Sequence, residues 1–392
     1  MSKSRSRGSG LLACLAIAAA LIAGGGSALM GTCGPFTDVA ADVFCPFVLE
    51  IFYLGITTGT TATTYDPTSN VSRLQMAAFL SRTVDGVLKR GSRRAILDQF
   101  WTTQNSTVLG VTTVGGTSPF LLRSDGADVW VSNFGGAGSV SRVRASDGKL
   151  LETWAGASGP TAVLVAMGKV FVTGKLAPSA LYQIDPTQSA GSVTTLASNL
   201  GTNASGIAFD GAKIWTGNVG GPGSVSIVTP GATIPWTVTN VTTGFSSPAG
   251  MLFDGTNIWA ADSGNGRLLK LDGNGAILQT ITLGGFAEYP VYDGTNIWVP
   301  NQTAVVVVRP STGAILATLT GNGLAGTFGS AFDGQRVMIT NQTGDTVSLF
   351  KAADLSPIGS FPMGAGTGVV GAASDGIHFW IALQSANKLA RF

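Results

Sequence analysis

Histidine is almost absent from this chain of 392 residues, since His378 is the only one. Imidazole-based metal centres need several histidines, and Ser-His or Cys-His catalysis needs a histidine beside its nucleophile. His378 directly follows an Asp-Gly turn, where a surface or packing role is expected. The sequence therefore excludes most histidine-dependent chemistry, and it predicts no catalytic residues and no metal site.

Charged residues are also scarce, at 11% of the chain. Without Lys3, Arg5 and Arg7, which fall in a predicted signal segment, 20 basic residues stand against 21 acidic ones. A nucleic-acid-binding domain needs a basic footprint, so no nucleic-acid partner is expected. Disorder is excluded because 44% of residues are hydrophobic, and the 55 glycines fit an all-β protein rich in tight turns.

The first 30 residues resemble a secretory signal peptide. The basic residues Lys3, Arg5 and Arg7 are followed by an apolar run at 11–23 and by small residues at 24–28. The run is short and is followed by glycines, which favours cleavage over a membrane-spanning helix. An uncleaved anchor is the alternative. The expected localisation is secreted or cell-envelope, outside the cytoplasm.

Cysteine is limited to three residues, and Cys14 lies in the signal segment. Cys33 and Cys45 remain in the exported chain. An even pair in an oxidising compartment predicts one disulfide. Two buried free thiols are the alternative.

A repeat organises most of what is present. The segment FDGTNIW at 253–259 returns as YDGTNIW at 292–298, with looser copies at 209–215 and 332–338. Asp125-Gly126 and Asp375-Gly376 lead to Trp130 and Trp380, and a degenerate copy at 166–171 fills the gap. The copies recur every 39 to 44 residues. A fixed period near ~40 residues indicates a repeat array.

Each repeat has the pattern of four antiparallel strands. In the copy from 247 to 285, apolar runs at 249–253, 257–262, 267–272 and 277–283 are separated by turns rich in Asp, Asn and Gly. Asp-Gly between apolar runs is a strong hairpin signal. Such a unit cannot bury both faces alone, so neighbours must stack around an axis as propeller blades.

The strand count predicts seven blades. Six complete units run from about 118 to about 364, after which only three strands follow, at 368–374, 378–383 and 388–392. The stretch 107–114 supplies the missing fourth strand, so that the last blade joins N- and C-terminal strands. The chain at 105–392 resembles bacterial propellers of the YVTN and NHL-like kind. The resemblance implies a mainly β fold but no single function.

Propeller families include enzymes, so the acids and amides of this propeller are candidates for such a role. Antibiotic-ring-opening lyases of this shape need histidine, which the chain does not supply. Calcium-dependent lactonases place Glu, Asn and Asp around the metal, and oxygen-rich loops suit calcium. The candidate ligand-binding residues of the propeller face are Asn133, Asn218, Asp262, Glu288, Tyr289, Asn301, Asn341 and Asp345. The alternative is that these amides satisfy strand ends. No cofactor is expected, although calcium remains possible.

The repeated tryptophans and turn aspartates are interpreted structurally. Quinone-dependent propeller enzymes also carry repeated tryptophans, but here each lies mid-strand where blades pack. Asp254 and its equivalents are expected to cap their own turns.

A different pattern occupies 34–88. It resembles a surface-layer homology (SLH) module, with two helices and the family's sequence pieces in the right order at 36–39, 55–59, 65–67 and 72–75. The resemblance implies that Arg73, with Gln75 beside it, contacts acidic cell-wall polysaccharide, since a guanidinium fork suits a carboxylate. Only one such repeat is present, and Gln75 stands where the family has Glu. A folded cap that no longer binds glycan is therefore the alternative.

A basic stretch at 89–104 links the two units and is interpreted as a solvated hinge, with an anionic-surface patch as the alternative. The whole chain predicts an exported envelope protein, with an SLH-like module for wall association and a propeller that binds or scaffolds an unknown protein or small ligand. The competing hypothesis is an enzyme, a metal-dependent lactonase or lyase acting in the propeller funnel.

Overall fold

The computed structural model describes residues 33, 35–39, 44–53, 56–80, 83 and 111–392. The chain forms two compact units, Met1–Gln99 and Phe100–Phe392. The predicted signal peptide at 1–30 and the predicted hinge at 89–104 lie outside the described residues. Within the described part, no helix has the length and apolar character needed to cross a membrane.

The larger unit is a seven-bladed β-propeller, as predicted, and each blade is a four-stranded antiparallel sheet. The first strand, β1 (Val111–Thr113), belongs to the last blade. Blade 1 contains β2 (Pro119–Ser124), β3 (Asp128–Asn133), β4 (Ser139–Arg144) and β5 (Leu150–Ala155). Blade 2 contains β6 (Pro160–Ala166), β7 (Lys169–Gly174), β8 (Ala180–Ile184) and β9 (Thr194–Ala197). Blade 3 contains β10 (Ala204–Phe209), β11 (Ile214–Asn218), β12 (Ser224–Thr229) and β13 (Thr237–Val241).

The remaining blades follow the same order. Blade 4 contains β14 (Pro248–Phe253), β15 (Ile258–Asp262), β16 (Arg267–Leu271) and β17 (Ile277–Thr282), with a 3-10 turn at Ser263–Asn265. Blade 5 contains β18 (Val291–Tyr292), β19 (Ile297–Asn301), β20 (Ala304–Arg309) and β21 (Ala314–Leu319). Blade 6 contains β22 (Thr327–Phe332), β23 (Arg336–Asn341), β24 (Thr346–Lys351) and β25 (Pro357–Pro362). Blade 7 contains β26 (Val369–Ser374), β27 (Phe379–Leu383) and β28 (Lys388–Arg391).

The last blade closes the ring as predicted. Strand β1 pairs antiparallel with β28, with Val111 opposite Ala390 and Thr113 opposite Lys388. The sheet order is β1-β28-β27-β26, so both ends of the propeller sequence share one sheet. Closure leaves no blade without neighbours on both sides and removes the open edge that invites aggregation.

The core of the propeller lies between blades. Trp259 of blade 4 packs with Ile297 and Val299 of blade 5, and Trp298 of blade 5 packs with Val337 of blade 6. Trp380 completes the circle against the first blade. All five tryptophans of the repeat are 0–1% exposed. This confirms the packing interpretation and explains why single repeats cannot be stable alone.

The turn aspartates do more than cap their turns. In blade 4, Asp254 Oδ1 accepts the backbone N–H groups of Thr256 and Asn257, while Oδ2 accepts the indole Nε1–H of Trp259 at 2.7 Å. The same carboxylate-to-indole bond recurs in blades 1, 3, 5 and 7 at 2.6 to 2.9 Å. In blade 6 the Arg336 Nε–H donates to Asp333 Oδ2 instead. One carboxylate thus joins the turn to the inter-blade core.

The smaller unit contains helix α1 (Cys45–Tyr53) and, within its described part, helical residues 73–80, labelled α2. Cys33 and Cys45 form a disulfide, as predicted. Phe36 is fully buried between Phe52 and Tyr65, with ring centroids 5.0 and 5.5 Å away. Leu54, Gly55, Val84 and Leu88 of the 34–88 segment lie outside the described residues.

The Asp38 carboxylate fixes the entry to the second half of this unit. It accepts the backbone N–H groups of Tyr65 and Asp66 at 2.7 to 3.1 Å. These bonds, that from Tyr65 above all, hold the pKa of Asp38 below its ordinary value. The Phe-x-Asp start and the Tyr-x-Pro piece of the sequence pattern are therefore neighbours in space because the carboxylate holds the later backbone.

Candidate functional site

The central channel of the propeller is narrow because its inner strands approach closely. Gly206, Gly250, Gly329 and Gly371 occupy one shared position on β10, β14, β22 and β26, at an irregularity of strand pairing. A Cβ on Gly206 would lie 2.3 Å from the Ala249 carbonyl oxygen, and one on Gly371 only 2.2 Å from that of Phe120. The cavity that remains has a volume of about 30 Å³, so it holds no more than one or two water-sized particles.

Blade 5 fills one end of this channel with a side chain. Tyr289 occupies the position that is glycine in four other blades, and its hydroxyl lies 2.7 Å from Ser205 Oγ of blade 3. Its ring lies 4.9 Å from that of Phe328, and Phe120 completes the aromatic group at 6.2 Å from Tyr289. Burial raises the pKa of the tyrosine hydroxyl, so Tyr289 stays neutral. We call Phe120, Ser205, Glu288, Tyr289 and Phe328 the channel mouth.

Glu288 is the titratable carboxyl of the channel mouth. Burial raises its pKa from 4.5 to about 7, and a hydrogen bond from Ser263 Oγ to Oε1 at 3.2 Å offsets only part of that rise. A carboxyl that changes charge near neutral pH is suited to general acid-base work. Glu288 and Tyr289 are among the residues predicted from the sequence, whereas Ser205, Ser263, Phe120 and Phe328 are not. Only the curvature of the ring brings these residues together from four other blades.

The stability of the propeller is expected to depend on the charge of Glu288. The folded protein binds this proton more tightly (pKa about 7) than the unfolded chain does (4.5), so the free energy of unfolding falls as pH rises between these values. Glu288→Gln is therefore expected to be more stable than wild type by about 3 kcal/mol at pH 8 and equal to it at pH 4. Urea unfolding across this pH range measures the difference. A difference in unfolding free energy between the two proteins that does not change with pH contradicts the raised pKa of Glu288.

Five of the named residues share the end of the second strand in their blades: Asn133, Asn218, Asp262, Asn301 and Asn341. All are buried. In blade 1, Nδ2 of the asparagine donates to Ser139 and Ser141 at 3.1 and 2.8 Å, and blades 3 and 6 repeat the arrangement with hydroxyls of the next strand. This geometry favours the strand-end role that was the alternative, and ligand binding by these amides stays a prediction.

Glycines of the loops before the inner strands cover these amides. A Cβ on Gly201 would lie 2.5 Å from Asn218 Nδ2, and one on Gly285 equally close to Asn301 Oδ1. Asn301 itself donates from Nδ2 to the Leu283 carbonyl at 3.2 Å. The amides therefore hold loops in place beneath the surface.

The two carboxylates named with them also bind backbone. Asp262 Oδ1 accepts the N–H groups of Ser246 and Ser247, and Oδ2 pairs with Arg267. Asp345 adopts φ +48° and accepts the N–H groups of Gly366 and Gly368 at 2.6 and 2.8 Å. Among the residues that the structure describes, no three His, Cys, Asp or Glu side chains lie close enough to hold one metal ion. Calcium binding stays a prediction.

In the smaller unit, Arg73 and Gln75 lie at the start of α2. Ser72 Oγ accepts the Gln75 N–H at 3.2 Å, and Gln75 Oε1 accepts the Ser72 N–H at 2.8 Å. This reciprocal pair is a capping box. Gln75 thus retains the capping function available to Glu, without its charge. Arg73 is exposed in the first helical turn.

Gln75→Ala is expected to weaken the first turn of α2 by about 1 kcal/mol. The Ser72 N–H loses its side-chain acceptor, and the bond from the Gln75 N–H to Ser72 Oγ loses the partner that holds Ser72 in place. Hydrogen exchange at 73–80 should then quicken about fivefold. Gln75→Glu is the matched control, since a glutamate can make the same bond. Equal exchange in all three proteins contradicts a stabilising cap.

The two units of the chain resemble different known proteins. A model of the S-layer homology domain matches residues 35–77, and such a match indicates association with a cell surface. The streptogramin B lyase structure is similar over 72% of this chain and 96% of that chain, with 16% identity and a TM-score of 0.60. A catalytically inactive virginiamycin B lyase from Staphylococcus aureus with quinupristin is 16% identical, with a TM-score of 0.60, over 72% of this chain and 97% of that chain. Hydrazine synthase of Kuenenia stuttgartiensis is 17% identical, with a TM-score of 0.60, over 72% of this chain and 97% of that chain.

These identities show a shared fold and nothing further. Comparison with curated proteins gives no match.

Proposed function

We propose that this chain is an exported envelope protein whose N-terminal module binds cell-wall polysaccharide and whose propeller carries a binding or scaffolding surface. The observation that carries the proposal is the match of residues 35–77 to the S-layer homology domain. The expected signal peptide, cleavage at about residue 30 and secretion belong to the same proposal.

The geometry of the module supports a role for Arg73 in glycan binding. Its side chain is exposed at the N-terminal turn of α2, which the capping box of Ser72 and Gln75 holds in place. A guanidinium there presents donors in a fork that matches a carboxylate. The positive end of the helix dipole adds attraction for an acidic sugar.

A binding role for the propeller is supported by what its polar groups already do. The strand-end amides, Asp262 and Asp345 are engaged with backbone or neighbouring side chains, and the channel is narrow and filled at its mouth by Tyr289. A closed ring of seven blades offers a broad face for contact with a partner. The partner is an unknown protein or small ligand.

One observation favours a second function, catalysis at the channel mouth. Glu288 has a pKa of about 7 beside Tyr289 and within reach of Ser263. A metal-dependent lactonase or lyase would use such a carboxyl as acid or base, with calcium drawn by Asp262 and Asp345. Turnover of lactones that is lost in Glu288→Gln, together with calcium binding lost in Asp262→Asn, supports the enzyme. Turnover equal in wild type and Glu288→Gln excludes this site.

Sedimentation with isolated cell-wall sacculi tests the anchoring role. Arg73→Ala in the full mature chain is expected to weaken wall binding about tenfold or more, since it removes charge-assisted bonds to the glycan. The matched control is Arg309→Ala, which removes an exposed arginine of the propeller and should leave binding unchanged. Binding that is equal in all three proteins, or absent from wild type, contradicts the proposal.

A further inference from the structure

Arg123 is a guanidinium in the wall of the central channel. It lies on inner strand β2 opposite Trp130, and it lines the channel cavity. The equivalent residues opposite the aromatic position of the other blades are Leu164, Ala208, Leu252, Val291, Ala331 and Ala373. All six are apolar, and none of them lines the cavity. Blade 1 alone therefore places a charge at this level of the channel.

This charge has no counter-charge in the described protein. Within residues 111–392, the Arg123 side chain takes part in no hydrogen bond, ion pair or ring contact, while its neighbour Asp125 is engaged with Trp130 and the turn backbone. Arg142 shows the ordinary arrangement in the same blade, since it pairs with Asp128 and Glu152. Burial lowers the pKa of Arg123, and no carboxylate opposes that effect.

The surroundings of Arg123 are otherwise apolar or already engaged. The cavity wall includes Val163, Ile207 and Met251. Its two polar side chains are Tyr289, which bonds to Ser205, and Ser330, which donates to the Tyr289 carbonyl at 2.7 Å. The Arg123 side chain is half-buried in this wall, and a guanidinium that is drawn partly out of water without a protein partner favours a bound anion.

We propose that the central channel binds one small monovalent anion, of the size of chloride, against the Arg123 guanidinium. The cavity volume of about 30 Å³ limits the ligand to a particle close to water in size. The anion supplies the charge that no carboxylate supplies.

Thermal unfolding of the mature protein in sodium chloride and in sodium gluconate, at one ionic strength, tests the site. An anion that binds only the folded state raises its stability by mass action. The wild-type Tm is expected to be roughly 3 °C higher in chloride. Arg123→Met keeps the length of the side chain and should abolish the difference. Arg309→Met, at an exposed propeller position, should keep the wild-type difference.

An equal chloride effect in wild type and Arg123→Met overturns the proposal, because chloride then acts elsewhere. Crystals of the unmodified protein soaked in bromide give a second test that does not depend on the variant folding. An anomalous peak beside the Arg123 guanidinium is expected. Bromide sites confined to the outer surface overturn the proposal.

Discussion

Deletion of the last five residues, 388–392, is expected to abolish cooperative folding of the propeller. Strand β28 (Lys388–Arg391) is the link between β1 and β27, and it hydrogen-bonds to both. Leu389, Ala390 and Phe392 are 0–1% exposed. Their loss removes three core side chains and leaves two unpaired strand edges, at a cost that exceeds about 5 kcal/mol. That is comparable to the whole stability of many domains.

Near-UV circular dichroism and calorimetry should show a loss of fixed tertiary packing and of the unfolding transition. Phe392→Ala is the intermediate variant, because its ring packs 5.1 Å from Phe361 and its truncation should cost about 3–5 kcal/mol. Lys388→Ala, at an exposed position of the same strand, should change stability by less than about 0.5 kcal/mol. A deleted chain that unfolds with the wild-type Tm contradicts the three-plus-one closure.

Trp259→Ala is expected to destabilise the propeller by about 3–5 kcal/mol, because it leaves a cavity between blades 4 and 5. The indole is fully buried, donates to Asp254 Oδ2 at 2.7 Å and has the Lys270 ammonium 5.3 Å from its ring. Its removal also leaves the aspartate oxygen without that donor. The Tm should fall by on the order of 10 °C in calorimetry.

Trp259→Phe separates packing from the hydrogen bond. Phe171 already occupies this position in blade 2, beside a turn that has Ala166 in place of aspartate. The phenylalanine variant is expected to cost about 1–3 kcal/mol, and the loss should shrink when Asp254→Ala is present, since the carboxylate then no longer needs the indole. If the losses of stability in Trp259→Phe and Asp254→Ala simply add in the double variant, the carboxylate-to-indole bond is contradicted.

Only some residues of the channel mouth can be identified from a local sequence pattern. Glu288 and Tyr289 stand out in sequence because the fifth blade has Glu-Tyr-Pro where other blades have a glycine. Their partners Ser205 and Ser263 carry no such signal, since each is a common residue in its own repeat. The consequence of the substitution, a filled channel, depends on four glycines of other blades that let the strands approach.

Gln75 and the strand-end amides illustrate a different limit. The motif places Gln75 beside Arg73 on a presumed glycan surface, but the structure shows its oxygen bound to the helix start. Asn133 and its equivalents lie at one repeat position. Whether such a side chain points outward or folds back onto the next strand depends on the hydroxyls at 139 and 141, two strand positions that a linear pattern does not pair with it.

The sequence by itself determined the number of blades, the antiparallel order within each blade, the three-plus-one closure and the disulfide, because each follows from local turn chemistry, period and cysteine count. The tertiary structure alone decided which polar groups are available for function. Ring closure brings residues more than 80 positions apart into contact, as with Ser205 and Tyr289, and it isolates Arg123 in the channel. Charge, burial and partner are properties of that shared space, and no single repeat contains them.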